Sequence, residues 1–147
     1  MLVYIVILIL IVFYTKRALT VRQDYQLIQA PLRSLTVELL LEKYPVIVSS
    51  DVMDMNEMIE TCFRYLYVFK DTLEITPGPV YMGKHRFTLL HNVSEQEQIL
   101  HLGSDLLPIT IHTGNIVIVP AGWSFQIDED DTWACMGLND ILHALCL

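Results

Sequence analysis

The chain has no lysine or arginine after Arg86. Its nine basic residues all lie at or before that point, where nine acidic residues balance them. Residues 87–147 carry only Glu95, Glu97, Asp105, Asp128, Glu129, Asp130, Asp131 and Asp140 as charges. An acidic half without cations repels phosphate backbones, which argues against direct nucleic-acid binding and leaves solubility or a basic partner as its use. Cysteine is also scarce. Cys62, Cys135 and Cys146 make no CxxC pair and no metal-type spacing, and an odd count without a framework fits a reducing compartment. P-loop, GxGxxG and GxSxG patterns are missing, and so are internal repeats and low-complexity tracts. The acidic run Asp128–Asp131 lacks the spacing and bracketing glycine of a calcium loop and reads as a solvated hairpin tip.

One absence has the opposite effect. Residues 2–14, Leu-Val-Tyr-Ile-Val-Ile-Leu-Ile-Leu-Ile-Val-Phe-Tyr, contain no charge, glycine, proline or serine, and Thr15, Lys16 and Arg17 end the run abruptly. Free in water, such a segment exposes apolar surface at roughly 25 cal/mol per Å². It must enter a bilayer, a core or a partner. As a helix the run covers about 20 Å of a hydrocarbon layer near 30 Å thick. Lys16 and Arg17 can snorkel, and Tyr4 and Tyr14 suit an interface. The sequence therefore predicts a transmembrane anchor over residues 1–21, with Leu2, Ile5, Leu8, Ile11, Phe13, Tyr14, Lys16 and Arg17 as its membrane-facing and flanking residues. A cleaved signal would want a basic start and a small-residue cleavage site, and neither is there. The basic residues follow the run, so a single pass would put the C-terminal domain on the cytoplasmic side.

Residues 22–30 read as a polar connector, and residues 31–147 are long enough for one sheet-based domain. Ser34 is a candidate N-cap for a helix carrying Leu35, Leu39 and Leu40 on one face, and Pro45 stops it. Residues 45–48 then read as a buried strand. Asp54 and Glu57 form a capping-box pattern before Met55, Met58, Ile59, Cys62, Phe63 and Leu66 at helical spacing. That stripe is core, not a binding groove. From Tyr65 onward the period shortens. Strands are expected at 65–69, 85–91, 98–102, 109–112, 116–119, 123–127 and 132–138, separated by turns such as Thr76–Pro79 and Thr113–Asn115, and Asn139 or Asp140 would cap a last short helix. The fold class is mainly β (α+β): an N-terminal transmembrane helix, two short helices, then a barrel or sandwich.

The residues from Thr113 to Trp123, Thr-Gly-Asn-Ile-Val-Ile-Val-Pro-Ala-Gly-Trp, resemble the strand and turn of cupin-like and JmjC-type double-stranded β-helix proteins. Residues 83–90 are similar to their GxKRxxL strand, and Pro45-Val46-Ile47-Val48 to their PVVI opening. The resemblance covers roughly residues 31–140 and implies a jelly-roll domain. Oxygenases of that group hold Fe(II) with two histidines and a carboxylate and bind 2-oxoglutarate. None of His85, His91, His101, His112 and His143 is followed by an acid two positions on. Phe125 stands where the second histidine would be, and Asn115 where the turn has aspartate. The resemblance thus implies the fold without the metal: no catalytic residue, no metal ligand, no cofactor. The expected function is a membrane-anchored structural or adaptor protein, similar to accessory proteins of large DNA viruses with an internal membrane. A minor capsid protein between that membrane and the shell would fit. Its partners would be the bilayer and other structural proteins, and an oligomer is compatible with this. Trp123, Phe125, Asp128, Glu129, Asp130 and Asp131 are the candidate interface residues. The alternatives are an Fe(II)/2-oxoglutarate-type oxygenase with atypical ligands drawn from His85, His91 and His101, and a cupin that binds a small ligand in its mouth.

Overall fold

The structure is a computed structural model that describes residues 1–20, 25–49, 54–128, 133–141 and 143. The chain is mainly β, with ten strands in two sheets and three α-helices among the described residues. Helix α1 (Leu2–Leu19) is followed by strand β1 (Ile28–Pro31), a single 3-10 turn (Leu32–Ser34), α2 (Val37–Leu41), β2 (Val46–Ser49) and α3 (Met55–Cys62). Eight further strands follow: β3 (Phe69–Thr72), β4 (Tyr81–Met82), β5 (Phe87–Asn92), β6 (Gln98–Leu102), β7 (Leu107–Ile111), β8 (Ile116–Pro120), β9 (Ser124–Ile127) and β10 (Trp133–Asn139).

These eight pair in nested antiparallel fashion: β6 with β7, β5 with β8, β4 with β9 and β3 with β10. The result is a six-stranded sheet in the order β1-β2-β8-β5-β10-β3 facing a four-stranded sheet in the order β4-β9-β6-β7. The short helices cover the outer face of the larger sheet. Its central strands are therefore buried on both sides, and alternate residues serve different cores. Phe87, Leu89, Ile116, Ile118, Met136 and Leu138 pack under α2 and α3, whereas Leu90, Val117, Val119 and Cys135 pack between the sheets. This is why 116–119 reads as an unbroken apolar run instead of an alternating one. Gly114 and Gly122, at φ +77° and +84°, supply the left-handed residues that close the turns on either side of β8.

Several expectations need correction. The connector 22–30 ends in a strand. Ile28–Pro31 pairs in parallel with β2, from Ile28 opposite Val46 to Pro31 opposite Ser49. Its proline is tolerated because the strand lies at the sheet edge. The first short helix is capped by Thr36, not Ser34: the Leu39 N–H donates to Thr36 Oγ1 at 3.3 Å. Helix α3 stops at Cys62, and Phe63 instead meets Phe87 edge-on at 5.3 Å. Asp54 occupies the N-cap position of α3 but makes no side-chain cap bond; its carboxylate accepts from Asn56 Nδ2. The strand expected at 65–69 forms later, as the exposed β3, because 63–66 is spent turning the chain out of the helix.

The transmembrane assignment of residues 1–21 is not supported: among the described residues no helix is long and apolar enough to cross a membrane. The physical reason is length, since the uncharged stretch gives only about 20 Å of helical rise. The helix itself does form. Every residue from Met1 to Tyr14 is exposed, including Leu2, Ile5, Leu8, Ile11 and Phe13, so this part of α1 is apolar all round and no described residue buries it.

Candidate functional site

Helix α1 is fastened to the domain at its C-terminal end. The Tyr14 hydroxyl donates to Asp140 Oδ2 at 3.0 Å, and Arg86 Nη1 binds the same oxygen at 2.7 Å. Arg86 Nη1 also donates to the Leu66 carbonyl at 3.0 Å. The other carboxylate oxygen of Asp140 accepts from the His143 N–H at 2.6 Å, the three-residue spacing of a helix N-cap. Of Asn139 and Asp140, the two caps expected, it is Asp140 that makes this bond; most of the short helix expected to end at Leu147 lies outside the described residues. His143 is buried, and its Nε2 lies 2.8 Å from the Lys84 carbonyl. Asn139 Oδ1 receives the Arg86 N–H at 3.0 Å, while its amide nitrogen lies 2.9 Å from His85 Nδ1. One half-buried ion pair is therefore held from four sides, where a charged pair is least screened by solvent.

Beside this pair opens a cleft of about 310 Å³. Leu40, Leu41, Phe87, Pro120 and Ala121 form apolar walls, and Tyr14, Lys43, Arg86, Asp140 and His143 supply its polar side. Four separate stretches build it: the root of α1, the end of α2, the junction where the β8–β9 turn meets the start of β5, and the segment after β10 that carries Asp140 and His143. There the Ala121 N–H donates to the Arg86 carbonyl and the Gly122 N–H to that of Gly83. Lys43 sits at φ +62°, and its Nζ donates to the Thr20 carbonyl at 2.9 Å, a second tie between α1 and the domain. The sequence reading missed this site. In the sequence Arg86 is one residue of an expected strand and Asp140 a candidate helix cap, and only Asp140 stands out, as a lone charge in an otherwise apolar segment.

His85, His91 and His101, the candidate ligands, are dispersed, whereas His143 lies near His85. His85 precedes β5 and His91 lies near its far end, about 20 Å along an extended chain at 3.3 Å per residue. His101, on the other sheet, binds Asp128 at 3.1 Å through Nε2, and His112 meets Glu97 at 2.6 Å on the surface. Burial lowers the pKa of both His85 and His91, whereas the hydrogen bond with Asp128 raises that of His101. Burial pushes the Cys135 thiol up to about 12, which keeps it protonated and unreactive. Among the described residues no group of three His, Cys, Asp or Glu side chains is placed to hold a metal ion.

Trp123 and Phe125 are buried, at 5% and 3% exposure, so neither ring is on the surface to anchor a partner. The Trp123 indole N–H donates to the Lys43 carbonyl at 3.1 Å, and Tyr25 leans on its ring at 6.0 Å. Phe125 lies directly across from Tyr81, with the rings stacked at 5.6 Å. Asp128 is exposed and bound to His101; Glu129, Asp130 and Asp131 lie outside the described residues, as do Cys146 and the side chain of Arg17. Lys16 is exposed at the end of α1. Comparison with family models, curated proteins and solved structures gave no match.

Proposed function

We propose that this chain is a lipid-anchored, non-catalytic β scaffold: α1 enters a membrane and holds the domain at its surface as an adaptor for other proteins. The observation that carries the reading is the exposed apolar surface around α1 from Met1 to Tyr14, joined at its root to the domain through Tyr14, Asp140 and Arg86. Transfer of these side chains into lipid is worth on the order of 20 kcal/mol before ordering costs, at about 1.5–3 kcal/mol each. A helix this short crosses a bilayer only where the layer thins or partners assist; otherwise it inserts part-way. Lys16 and Arg17 follow the apolar stretch at headgroup level, which for a full pass favours the cytoplasmic side for the domain.

In this reading β3 to β10 form a jelly roll of the double-stranded β-helix type. The nested pairing around the β6–β7 hairpin supports it, and the three segments that resemble that group become neighbouring strands β2, β8 and β5. Where the group's oxygenases place a second histidine, a stacked Phe125–Tyr81 pair fills the space, which supports a structural role over oxygen chemistry. The protein partners would be structural, such as shell proteins lying over a membrane.

Flotation on liposomes tests the anchor. The full chain is expected to rise with the lipid, and a chain lacking residues 1–17 to stay at the bottom. A full chain that stays at the bottom, or a truncated one that floats, overturns the reading. Stoichiometric iron in the purified protein, lost on substitution of His85, His91 or His101, would overturn the non-catalytic part.

A further inference from the structure

The cleft at the root of α1 has the two chemistries of an amphiphile site. Its walls at Leu40, Leu41, Phe87 and Ala121 are apolar. Its charged groups are Lys43, Arg86 and Asp140, and the two hydrogen bonds of the Arg86 guanidinium both use Nη1, one to Asp140 and one to the Leu66 carbonyl. Among the described residues, Nε and Nη2 have no hydrogen-bond partner. A guanidinium presents five N–H donors in a rigid fork, and its Nε–Nη2 edge matches two oxygens of a phosphate. The bonds at Nη1 fix the group, so this second edge is oriented before any ligand arrives, and little conformational entropy remains to be lost on binding. Tyr14 both lines the cleft and ends the apolar run of α1, so a helix seated in lipid brings the cleft mouth to headgroup level.

We infer that this cleft binds one phospholipid with an anionic head: its phosphate is held on the Nε–Nη2 edge of Arg86, and the upper part of one acyl chain lies against Leu40, Leu41 and Phe87. The inference rests on the lipid-anchor reading above and adds a specific lipid site to it. The domain's net negative charge makes the choice informative, since the protein as a whole repels anionic surfaces.

The full chain in non-ionic detergent, offered phosphatidic acid or a diacylglycerol with the same acyl chains, tests the site by native mass spectrometry. One retained phosphatidic acid per chain is expected, with a preference over the phosphate-free diacylglycerol of roughly tenfold or more, the scale of a charge-assisted hydrogen bond. Ala121→Trp fills the cleft and Arg86→Lys removes the fork, and both conserve net charge. Each should abolish the preference while the variants still float on phosphatidylcholine liposomes and melt cooperatively. Ala121→Trp is the deciding variant if Arg86→Lys unfolds the domain. Flotation with no lipid preference, or a preference that survives Ala121→Trp, overturns the lipid site and leaves the anchor standing. Displacement of the lipid by excess inorganic phosphate alone also overturns it, because the acyl chain would then contribute nothing. Failure of the wild-type chain to float overturns the anchor itself.

Discussion

Gly137 in β10 offers a test that depends wholly on tertiary structure. Its backbone is not left-handed, so an alanine there meets no conformational objection, and Gly→Ala at a compatible position stabilises by about 0.4–1 kcal/mol through the unfolded chain. The obstacle is His85. A Cβ built on Gly137 would lie 2.6 Å from both Cγ and Nδ1 of that ring and 2.7 Å from Cδ2. Carbon pairs are comfortable near 3.5–4.0 Å, so the imidazole must move by about an ångström. It then leaves Asn139, whose amide is 2.9 Å from Nδ1 and whose carbonyl oxygen holds the Arg86 N–H beside the cleft. Overpacking of this kind costs about 1–3 kcal/mol. Mid-range values of about 2 and about 0.7 kcal/mol leave a net destabilisation of roughly 1.3 kcal/mol for Gly137→Ala, or roughly 3–6 °C in Tm for a domain of this size. The sign should reverse when the obstacle is removed. In a His85→Ala background the same Gly137→Ala change is expected to be neutral or stabilising by up to about 1 kcal/mol. Urea unfolding of the four proteins in this cycle measures both quantities. A Gly137→Ala protein as stable as wild type, or one equally destabilised with and without His85, would refute the reasoning.

Leu89 is fully buried under the helices, and Leu89→Ala should cost about 2–5 kcal/mol in chemical denaturation, with the upper half expected because sheet and helices both border the void. Thr36→Ala should cost about 1 kcal/mol and Ser34→Ala nearly nothing; equal effects would return the cap to the position the sequence suggested. Acidification should lower Tm. His85 and His91 have folded-state pKa values below their unfolded value, chiefly through burial, so between the two the unfolded chain binds more protons; this stability is complete above about pH 6.5 and falls away as pH drops. His101 opposes the trend, because its pKa is raised by Asp128 and its contribution is present below about pH 6.5 and fades as pH rises through the raised value. His91→Gln should flatten the acid limb of a melting profile, and a Tm that climbs on acidification would show that the His101–Asp128 pair outweighs the half-buried rings of His85 and His91.

Local pattern carried much of the fold. The strand at 98–102 lies within the residues expected, the stripe Met55, Met58, Ile59, Phe63 and Leu66 is buried, and the turns around Gly114 and Gly122 close where glycine permits a positive φ. Each of these depends on neighbours in sequence. The reading failed where a distant partner decides. Ile28–Pro31 is too short and too polar to announce a strand, and it becomes one because the edge of β2 is open to it. Phe87, Thr88, Leu89 and Leu90 are all buried, so the alternation expected along that strand vanished when a second layer covered each face.

By itself the sequence determined that residues 2–14 form an uncharged apolar run ended by Lys16 and Arg17, that no lysine or arginine follows Arg86, and that a β-rich domain comes after. Composition and short-range periodicity are properties of the chain alone. Only the tertiary structure decided that Tyr14, Arg86 and Asp140 meet, that Trp123 and Phe125 turn inward, and that His101 lies on a different sheet from His91. Those facts depend on strand order and on which face each strand buries, and both are fixed by contacts among residues many tens of positions apart.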